Sequence, residues 1–424
     1  MEFIVRPSTL RGEVDIPGSK SHTIRGVLLA SLADGESVLE APLASADTEA
    51  AVGVYQQLGA RFELGSDEWR IHGVGSSMRQ PEAPLDVRNS GTTLNVAMGT
   101  CALLPGDGVT LTGDAQIQRR PSRALAAALN DLGAQVVAER DNGCAPFRVR
   151  GVLRGGHTSI ECRSSQYLTS LLLACPLATG DSEIEVPLLM EKPYVSMTLD
   201  WLDFMGVKLE RDGLERFSVP GGQRYQPFRR RIPADFSTAT FFLVAGALGE
   251  NRVTSCGLDL QDSQSDKAVV EFLRAMGADI QVAGDAITVS PKTLQGTEFD
   301  MNDCPDALPM MAVLGCFAEG ETRLVNVEQA RIKETDRIAV MCAELRKLGA
   351  DITERPDGLV IRRSQLRGGA VDGHHDHRVV MSLAVAGTQI PGETRISTAE
   401  AASVTVPQFA ALMTQLGADL SSQD

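Results

Sequence analysis

The stretch RKLGADI (346–352) decides the fold, because five similar stretches occur along the chain. In each, an amphipathic segment ends in a large apolar residue and a glycine, and an apolar run follows. Glycine after the last helical residue is the usual left-handed helix stop, and the run after it starts a strand. The other copies are QQLGARF (56–62), NDLGAQV (130–136), DFMGVKL (203–209), RAMGADI (274–280) and TQLGADL (414–420), and successive glycines lie 68 to 74 residues apart.

A second marker repeats with nearly the same period. It is a glycine turn followed by a β-like run, and it occurs at Gly35, Gly108, Gly180, Gly249, Gly320 and Gly392. An apolar segment with a polar beginning precedes each turn, and these segments are 19–33, 89–104, 164–178, 235–249, 305–320 and 376–387. Two independent markers with one period predict six α/β repeats, each with one apolar helix.

The ends of the chain predict how the repeats are grouped. The sixth repeat ends early, whereas the chain begins with a strand and helix that belong to no full repeat. The simplest solution is circular, with residues 1–15 completing the last repeat. We therefore expect a continuous domain of three repeats (16–228) and a discontinuous domain of three repeats (1–15 plus 229–424). The chain would cross twice at a hinge, near 17–18 and between 227 and 233.

Composition excludes several classes of partner. The net charge is −15 and aromatic residues make up 4%, which argues against nucleic acid and anionic membranes. No apolar stretch reaches the roughly 18 residues of a membrane span, and the first residues do not resemble a signal peptide. The eight cysteines are scattered, as expected for buried thiols in a reducing compartment. We expect a cytoplasmic enzyme for small molecules, and a monomer.

Polar residues gather at the starts of the six apolar helices. Free N–H groups and a partial positive charge at helix starts favour phosphate and carboxylate ligands. Simple capping accounts for Asp235 and is also open for Asp306, but it does not explain Lys20, Arg25 or Arg378, because a cation opposes the helix dipole there. The whole set is Lys20-Ser21, Asn89 to Thr92, Ser164 to Gln166, Asp235, Asp306 and Asp376 to Arg378.

Two further basic clusters extend this pattern. One is QRRP (118–121), where proline opens a helix just after Arg120. The other is RIKETDR (331–337), in which Lys333 and Arg337 share a helix face; taken alone it also fits a solvated surface helix with local ion pairs. The run GHHDHR (373–378) invites a metal interpretation, but no second His/Cys cluster completes a site, and we expect no metal.

Seven short motifs, which occur in a fixed order along the chain, carry a family resemblance that extends from Ile16 to about Pro407. They are IPGSKSHTIR (16–25), NSGTT (89–93), QRRP (118–121), SSQYLTSLL (164–172), PDA (305–307), RIKETDR (331–337) and DHR (376–378). The ordered set resembles the 5-enolpyruvylshikimate-3-phosphate (EPSP) synthase family, the 3-phosphoshikimate 1-carboxyvinyltransferases. The resemblance implies an inverse-helix αβ-prism, an α/β fold with two domains that each contain three βαβαββ units and close on the substrates.

The resemblance also implies a reaction and a set of roles. The enolpyruvyl group of phosphoenolpyruvate moves to the 5-hydroxyl of shikimate 3-phosphate, through a tetrahedral ketal, and phosphate is released without a metal or organic cofactor. Asp306 would be the base for the hydroxyl, while Glu334 and Lys20 would handle the methylene proton. The phosphoenolpyruvate group would be Lys20, Asn89, Gly91, Thr92, Arg120, Gln166, Arg337, His377 and Arg378. The shikimate 3-phosphate group would be Ser21, Arg25, Ser164, Ser165, Gln166, Tyr194, Asp306, Gln329 and Lys333.

Four positions depart from the family pattern. Val404 stands where a lysine is usual, and Glu191 stands where a serine commonly helps to hold the acceptor phosphate. Gln329-Ala330 replaces an asparagine before the RIKETDR run, and Asn95 replaces an arginine after the GTT segment. The acid–base residues and most of the phosphate cations remain, so the departures bear on the acceptor more than on the chemistry.

Two other functions stay open from the sequence. One is a paralogue that transfers enolpyruvyl to another hydroxyl acceptor, which Glu191 and Val404 motivate. The other is a non-catalytic binding protein with the same fold, which the joint presence of Lys20, Asp306 and Glu334 disfavours. The relative that acts on UDP-N-acetylglucosamine fits less well, because no cysteine-bearing loop precedes Arg120.

Overall fold

The computed structural model describes residues 1–423, and in that range it has twelve α-helices and 24 strands. The helices are α1 (Lys20–Leu32), α2 (Ala46–Gln57), α3 (Gly91–Cys101), α4 (Arg123–Asp131), α5 (Ser165–Ala174), α6 (Lys192–Phe204), α7 (Phe236–Gly246), α8 (Ala268–Ala275), α9 (Leu308–Phe317), α10 (Arg337–Lys347), α11 (His377–Gly387) and α12 (Phe409–Gln415).

The strands are short and evenly spaced. They are β1 (Glu2–Arg6), β2 (Arg11–Asp15), β3 (Glu36–Glu40), β4 (Arg61–Leu64), β5 (Glu68–His72), β6 (Leu85–Asp86), β7 (Val109–Thr112), β8 (Gln135–Ala138), β9 (Phe147–Arg150), β10 (Gly156–Cys162), β11 (Ser182–Leu189), β12 (Glu210–Asp212), β13 (Arg216–Val219), β14 (Arg229–Arg231), β15 (Arg252–Cys256), β16 (Asp279–Ala283), β17 (Ala286–Ser290), β18 (Glu298–Asp300), β19 (Glu321–Val325), β20 (Asp351–Arg355), β21 (Gly358–Arg362), β22 (Ala370–Asp372), β23 (Thr394–Ser397) and β24 (Asp419–Gln423).

The chain divides into two compact units. The continuous unit is Gly18–Ile232, and the discontinuous unit combines Met1–Pro17 with the residues from Pro233 onward. Each unit contains three four-stranded sheets. The sheets of the continuous unit have the orders β14-β3-β5-β4, β6-β7-β9-β8 and β10-β11-β13-β12, and those of the discontinuous unit have the orders β22-β23-β1-β24, β16-β17-β15-β2 and β18-β19-β21-β20.

Every sheet has the same internal pattern. One edge strand runs parallel to its neighbour, as β6 does to β7, and the other pairs are antiparallel. A parallel pair needs a crossover, and the apolar helix supplies it, as α3 does between β6 and β7. The second helix of the repeat then leads into an antiparallel hairpin. The expected βαβαββ repeat is therefore continuous in three sheets, formed by β6–β9, β10–β13 and β18–β21, and each of the other three sheets takes one strand from a distant part of the chain.

Two strands near the boundaries of the units, β2 and β14, pair with strands of repeats that are distant along the chain. β1 lies between β23 and β24, so the first strand completes the sixth sheet. β2, however, pairs in parallel with β15 of the fourth repeat. In the same way, β14 pairs in parallel with β3 of the first repeat, which places residues 229–231 with the continuous unit. β2 and β14 are each the parallel edge strand of their sheet, a position that the neighbouring residues of the first and fourth repeats leave open.

The apolar helices form the core of each unit. Nearly every residue of α1, α3 and α5 is buried in the continuous unit, and the same holds for α7, α9 and α11 in the discontinuous unit. In the first set α3 packs against both α1 and α5, and in the second set α7, α9 and α11 pack against one another. Because these helices are buried on all sides, their polar starts are the places where chemistry is possible.

The six marker glycines end the six amphipathic helices, as predicted. At Gly59 the backbone has a φ of +117°, and its N–H bonds to the carbonyl of Gln56 while the N–H of Ala60 bonds to that of Tyr55. These bonds satisfy carbonyls that the end of α2 leaves open. The same positive φ occurs at Gly133, Gly206, Gly277, Gly349 and Gly417.

Two other sequence-based expectations concern the core and membranes. All eight cysteines are free thiols, and all are buried except Cys256, which is half-buried. Within residues 1–423 no helix is both long and apolar enough to cross a bilayer.

The role of Gly59 gives a test of the repeat design. We expect Gly59→Ala to lower the free energy of unfolding by at least about 1 kcal/mol, because a side chain is strained at this φ and its Cβ would lie 3.3 Å from Val74 Cγ1. Gly53→Ala is the matched control, since Gly53 lies within α2 with no neighbouring atom within 4 Å. That variant should be slightly more stable. Denaturant unfolding of both would contradict the account if Gly59→Ala were as stable as Gly53→Ala.

Candidate active site

A buried arginine organises the discontinuous unit at the start of α10. The Arg337 side chain is 1% exposed and contacts three carboxylates. Its Nε donates to Asp376 Oδ2 (2.8 Å), its Nη1 to Asp306 Oδ1 (2.8 Å) and its Nη2 to Glu334 Oε2 (2.6 Å). Burial alone would lower the pKa of Arg337, but Asp376, Glu334 and Asp306 raise it above its ordinary value. The guanidinium therefore stays charged and fixes three carboxylates.

Asp306 is the carboxylate with the most cations around it. It lies in a 3₁₀ turn that leads into α9. Besides Arg337, Arg378 Nη2 donates to Asp306 Oδ2 (2.8 Å), and Lys333 Nζ lies 3.9 Å from Oδ1. Burial alone would raise the pKa of Asp306, but Arg378, Lys333 and Arg337 hold it well below its usual range. We call these six residues the Arg337 cluster: Asp306, Lys333, Glu334, Arg337, Asp376 and Arg378.

Asp376 connects the cluster to α11. Its side chain is fully buried, accepts from the Arg378 backbone N–H (2.8 Å) as an N-cap, and also accepts from Arg337. One residue thus caps a helix and anchors the buried guanidinium. His377 and Arg378, the first residues of α11, are buried too. A cation at this helix start is tolerated because Asp306 and Asp376 lie beside it.

Two further residues of the discontinuous unit that the sequence predicts for the site, Lys333 and Gln329, have different surroundings. Lys333 belongs to the Arg337 cluster, but Gln329 does not contact it through any described hydrogen bond. The Gln329 amide instead donates to the Asn302 carbonyl (2.9 Å). In the RIKETDR run, Arg331 forms surface ion pairs with Asp336 (2.7 Å) and Glu354 (2.9 Å). The run therefore combines a buried catalytic candidate with the surface pairs that the alternative interpretation expected.

Two aspartates near these residues have different functions from Asp306. Asp235 caps α7 by accepting from the Thr238 N–H (2.7 Å), which agrees with plain capping. Asp266 is 1% exposed and accepts from the Ser237 hydroxyl, while its Oδ1 has no hydrogen-bond partner within residues 1–423. Burial and the nearby charge of Asp306 raise the pKa of Asp266 to about 6, although Arg378 acts in the opposite direction.

In the continuous unit, Lys20 is the first residue of α1 and pairs with an unexpected aspartate. Lys20 Nζ lies 3.0 Å from Asp47 Oδ2, and the Asp47 side chain is only 8% exposed. Asp47 lies in the first turn of α2, behind the cap residue Ser45. A carboxylate there holds the lysine at the helix start, where the dipole by itself would repel it.

Arg120 lies against the start of α3. A Cβ at position 91 would lie 2.9 Å from Arg120 Nη1, so a side chain there would displace the guanidinium from its present position. The N-cap of α3 is Ser90, whose hydroxyl accepts from Thr93 N–H (3.3 Å). Next to it, Asn89 donates to Asp114 Oδ2 (2.6 Å) and Gln116 Oε1 (2.7 Å). The NSGTT and QRRP motifs are thus brought together, as their chemistry predicts.

Asn95 fixes the orientation of Gln166. Its Nδ2 donates to Gln166 Oε1 (2.8 Å), and its Oδ1 accepts from the Ser122 hydroxyl (2.8 Å). Gln166 Nε2 donates to Thr92 Oγ1 (3.1 Å). Since Nε2 carries two hydrogens, the orientation leaves the second one for a ligand acceptor. Asn95, a departure from the family pattern, therefore joins α3, α5 and the segment after Arg120.

Arg25 is largely committed to the protein itself. It is 3% exposed and donates to Thr198 Oγ1 (2.9 Å), the Ser21 carbonyl (3.0 Å) and the Tyr194 carbonyl (3.0 Å). A fourth bond goes to Thr169 Oγ1 (3.3 Å). Burial lowers the pKa of Arg25 to about 10, so it remains a cation at neutral pH. It connects the starts of α1, α5 and α6, which carry Ser21, Ser165 and Tyr194.

The start of α5 holds the two neighbouring serines. Ser164 is the N-cap and accepts from the Gln166 N–H (3.4 Å). Ser165 donates both its N–H (3.1 Å) and its hydroxyl (2.8 Å) to Glu191 Oε2. The Glu191 side chain is therefore turned toward α5, and it is 2% exposed. The other departure, Val404, is half-buried in a 3₁₀ segment and adds no cation.

The histidine-rich run does not form a metal site. His374 Nε2 lies 2.9 Å from Glu344 Oε1, and His375 Nδ1 lies 3.6 Å from Glu400 Oε1. Across residues 1–423, no three His, Cys, Asp or Glu side chains are arranged to hold a metal ion. This run instead shapes the loop before Asp376.

Sequence reasoning missed one contributor to these sites, Asp47, and it missed the long-range contacts of two others, Asp376 and Asn95. Asp47 sits in a segment that resembles an ordinary capping box, so its ion pair with Lys20 had no local signal. Asp376 was noticed as a helix-start residue, but its bond to Arg337 spans 39 residues. Asn95 was noticed only as a departure from the family. In these cases the residue types are visible in the sequence, but the contact partners lie far along the chain and cannot be predicted from it.

The fold and these side chains define the class of protein. It is an α/β enzyme of six repeats in which cations and ionised carboxylates occupy the starts of buried helices, an arrangement suited to anionic small molecules.

The chain belongs to the EPSP synthase (3-phosphoshikimate 1-carboxyvinyltransferase) family, whose model matches residues 4–413. This finding confirms the family and the reaction predicted from the ordered motifs, and nothing among the comparisons favours another acceptor.

Individual relatives agree with this assignment. The chain is 51% identical over 419 residues to the 3-phosphoshikimate 1-carboxyvinyltransferase of Acetivibrio thermocellus, with 99% of each sequence covered. It is 50% identical over 406 residues to that of Ruminiclostridium cellulolyticum, with 96% of each covered. Among solved structures, an EPSP synthase from Acinetobacter baumannii superposes with a TM-score of 0.82 at 27% identity, covering 99% of this chain and 100% of the other. The fold class predicted from the repeats is thereby confirmed.

The unusual carboxyl of Asp266 gives a test of the electrostatics. An ordinary aspartate ionises near pH 3.9, whereas the folded-state pKa of Asp266 is about 6. The buried carboxyl therefore lowers the free energy of unfolding as the pH rises from about 4 to about 6. Above pH 6 the full effect is present, and it is on the order of 3 kcal/mol. We expect Asp266→Asn to raise the melting temperature at pH 7.5, and to raise it less at pH 5.

Asp285→Asn is the control, because Asp285 is an exposed residue of the same unit. Thermal unfolding at both pH values measures the difference. A melting temperature of Asp266→Asn that is lower than wild type at pH 7.5, with Asp285→Asn unchanged, would contradict the electrostatic account.

Proposed function

We propose that this chain transfers the enolpyruvyl group of phosphoenolpyruvate to the 5-hydroxyl of shikimate 3-phosphate and releases inorganic phosphate. The observation that carries the proposal is the Arg337 cluster, in which one guanidinium binds both Asp306 and Glu334. These are the two carboxylates to which the family resemblance gives acid–base roles. The arrangement keeps them close together and oriented.

In the addition step, the 5-hydroxyl oxygen attacks C2 of phosphoenolpyruvate and its proton leaves. We assign the proton acceptor as Asp306, and we assign Glu334 and Lys20 to the proton that C3 gains. The product is a tetrahedral ketal that still carries the phosphate. Proton transfer by positioned side chains typically contributes about 10²- to 10⁴-fold to the rate.

In the elimination step, the bond between C2 and the phosphate oxygen breaks and a proton leaves the C3 methyl group. The electron pair of the C–H bond forms the new double bond, and inorganic phosphate departs. We assign the acceptance of this proton to the same groups that deliver the proton to C3 in the addition step. Cations beside the leaving phosphate stabilise the charge that develops on it.

Ligand binding would tune the basicity of Asp306. Without ligand, Arg378, Lys333 and Arg337 keep the pKa of Asp306 well below its usual range, which makes it a weak base. A bound phosphate and carboxylate would attract Arg378 and Lys333 and reduce their hold on Asp306. Its pKa would then rise toward the range of a useful base. Substrate binding and proton abstraction are coupled in this proposal.

The other assignments rest on the positions of the side chains in each unit. For phosphoenolpyruvate, Arg120 is the cation beside Gly91, and Gln166 presents an amide hydrogen whose orientation Asn95 fixes. Lys20, Asn89, Thr92, Arg337, His377 and Arg378 complete this group. For the acceptor, Ser21, Arg25, Ser164, Ser165 and Tyr194 come from the continuous unit, and Asp306, Gln329 and Lys333 from the discontinuous unit.

We further propose that the protein acts as a monomer in the cytoplasm, without a metal or organic cofactor. Both ligands are highly charged small molecules of intermediary metabolism, and the roles above are filled by side chains alone.

Phosphate release tests the reaction directly. We expect steady phosphate release when the chain is given phosphoenolpyruvate and shikimate 3-phosphate together, and none with either alone. Asp306→Asn should reduce kcat by about 10²- to 10⁴-fold, because the amide cannot accept the hydroxyl proton. The measurement is a continuous phosphate assay, with circular dichroism to check that the variant is folded.

The surface variant Asp285→Asn serves as the matched control and should keep wild-type rates. Near-normal turnover by folded Asp306→Asn would remove Asp306 from its role. A wild-type chain that released no phosphate with this acceptor would contradict the reaction itself.

A further inference from the structure

Glu191 is a buried carboxylate at the point where two helices of the continuous unit begin. It is the N-cap of α6 and has a positive φ of 58°, a conformation that few residues with side chains adopt. Its backbone is held in place, since its carbonyl accepts from the Tyr194 N–H (3.1 Å) and the preceding Met190 N–H bonds to the Cys162 carbonyl (3.0 Å). The side chain is therefore aimed at α5 by a fixed backbone.

The carboxylate takes both donors of Ser165. Glu191 Oε2 accepts from the Ser165 N–H (3.1 Å) and from its hydroxyl (2.8 Å). Hydrogen bonds to a charged acceptor are about twice as strong as neutral ones, and the start of α5 adds a favourable dipole. Any other anion that binds to Ser165 has to compete with this carboxylate.

The same corner of the unit carries the residues assigned to the acceptor. Arg25 bonds to the carbonyls of Ser21 and Tyr194 and to Thr169 of α5, so it joins the starts of α1 and α6 to α5. Glu191 lies three residues before Tyr194. Four of the five N–H groups of Arg25 donate to protein oxygens. This leaves the serines at the start of α5 as important donors for a phosphate group.

We propose that Glu191 is a specificity-determining residue of the acceptor site, which competes with the phosphate group of the acceptor for the two donors of Ser165. The phosphorylated acceptor binds by displacing the Glu191 carboxylate from Ser165, against the repulsion between the two negative charges. An acceptor without the phosphate does not need these donors and is indifferent to Glu191. The proposal rests on the proposed function, because the acceptor assignments do.

Glu191→Gln is the informative variant, since it removes the charge and keeps the size and a hydrogen-bond acceptor. We expect the dissociation constant for shikimate 3-phosphate to fall by about threefold to thirtyfold, as the removal of a nearby like charge implies. KM for this acceptor should fall with it. KM for phosphoenolpyruvate and kcat should change by less than about twofold, because neither depends on Ser165 in this proposal.

Two further variants separate charge from structure. Glu183→Gln is the matched control, because Glu183 also accepts from a serine hydroxyl, that of Ser218 (2.6 Å), on the exposed β11–β13 pair of the same unit. It should leave every constant unchanged. Glu191→Ala frees the donors altogether and should bind shikimate 3-phosphate at least as tightly as Glu191→Gln. Its melting temperature should be lower, because the buried N–H and hydroxyl of Ser165 lose their acceptor.

Calorimetric titration with shikimate 3-phosphate and with shikimate, alongside the phosphate assay, decides between the outcomes. Tighter binding of the phosphorylated ligand alone, in Glu191→Gln but not in Glu183→Gln, supports the role of Glu191. An unchanged or weaker affinity overturns it, as does an equal gain for unphosphorylated shikimate. Absence of binding by both wild type and Glu191→Gln overturns it too.

The same titration keeps the two proposals apart. If the wild-type chain bound shikimate 3-phosphate but released no phosphate, the proposed reaction would fail. The effect of Glu191→Gln on the dissociation constant would still decide the role of Glu191.

Discussion

The structure of the discontinuous unit depends on one buried guanidinium. Arg337 is 1% exposed, and Asp306, Glu334 and Asp376 surround it, balance its charge and raise its pKa above the ordinary value. Removing one partner from such a buried set leaves an uncompensated charge, which is far less favourable than the intact set. The arginine therefore constrains the starts of α9, α10 and α11 at once. The candidate acid–base residues are held by the same bonds that hold the helices.

The repeat architecture explains why chemistry is found at these places. Each repeat buries one apolar helix on all sides, so the only polar part of that helix is its beginning. The buried helices pack together in each unit. Side-chain bonds link their beginnings, as between Gln166 and Thr92 or between Arg378 and Asp306. Long-range ion pairs occur there in addition to ordinary caps, as between Lys20 and Asp47 or between Arg337 and Asp376. The departures Asn95 and Glu191 follow the same rule, because each joins two helix starts.

Much of the fold could be predicted from the sequence, because glycine stops and apolar helices leave a local signal. The six glycines, from Gly59 to Gly417, all end helices in the left-handed conformation. The pairing of β2 with β15 and of β14 with β3 could not be predicted, since a short edge strand carries no mark of its partner. The same limit applies to the site. Residue types identified Asp306 and Arg337, whereas the roles of Asp47 and Asp376 depend on contacts made far along the chain.

The double-mutant cycle of Asp306→Asn and Arg337→Lys in phosphate release tests the central claim most directly. If Arg337 acts on catalysis through Asp306, the lysine substitution will lower kcat/KM strongly in the wild-type background and only slightly when Asp306 is already asparagine. Strictly additive losses, with both variants folded, would show that the two residues act independently and would contradict the account.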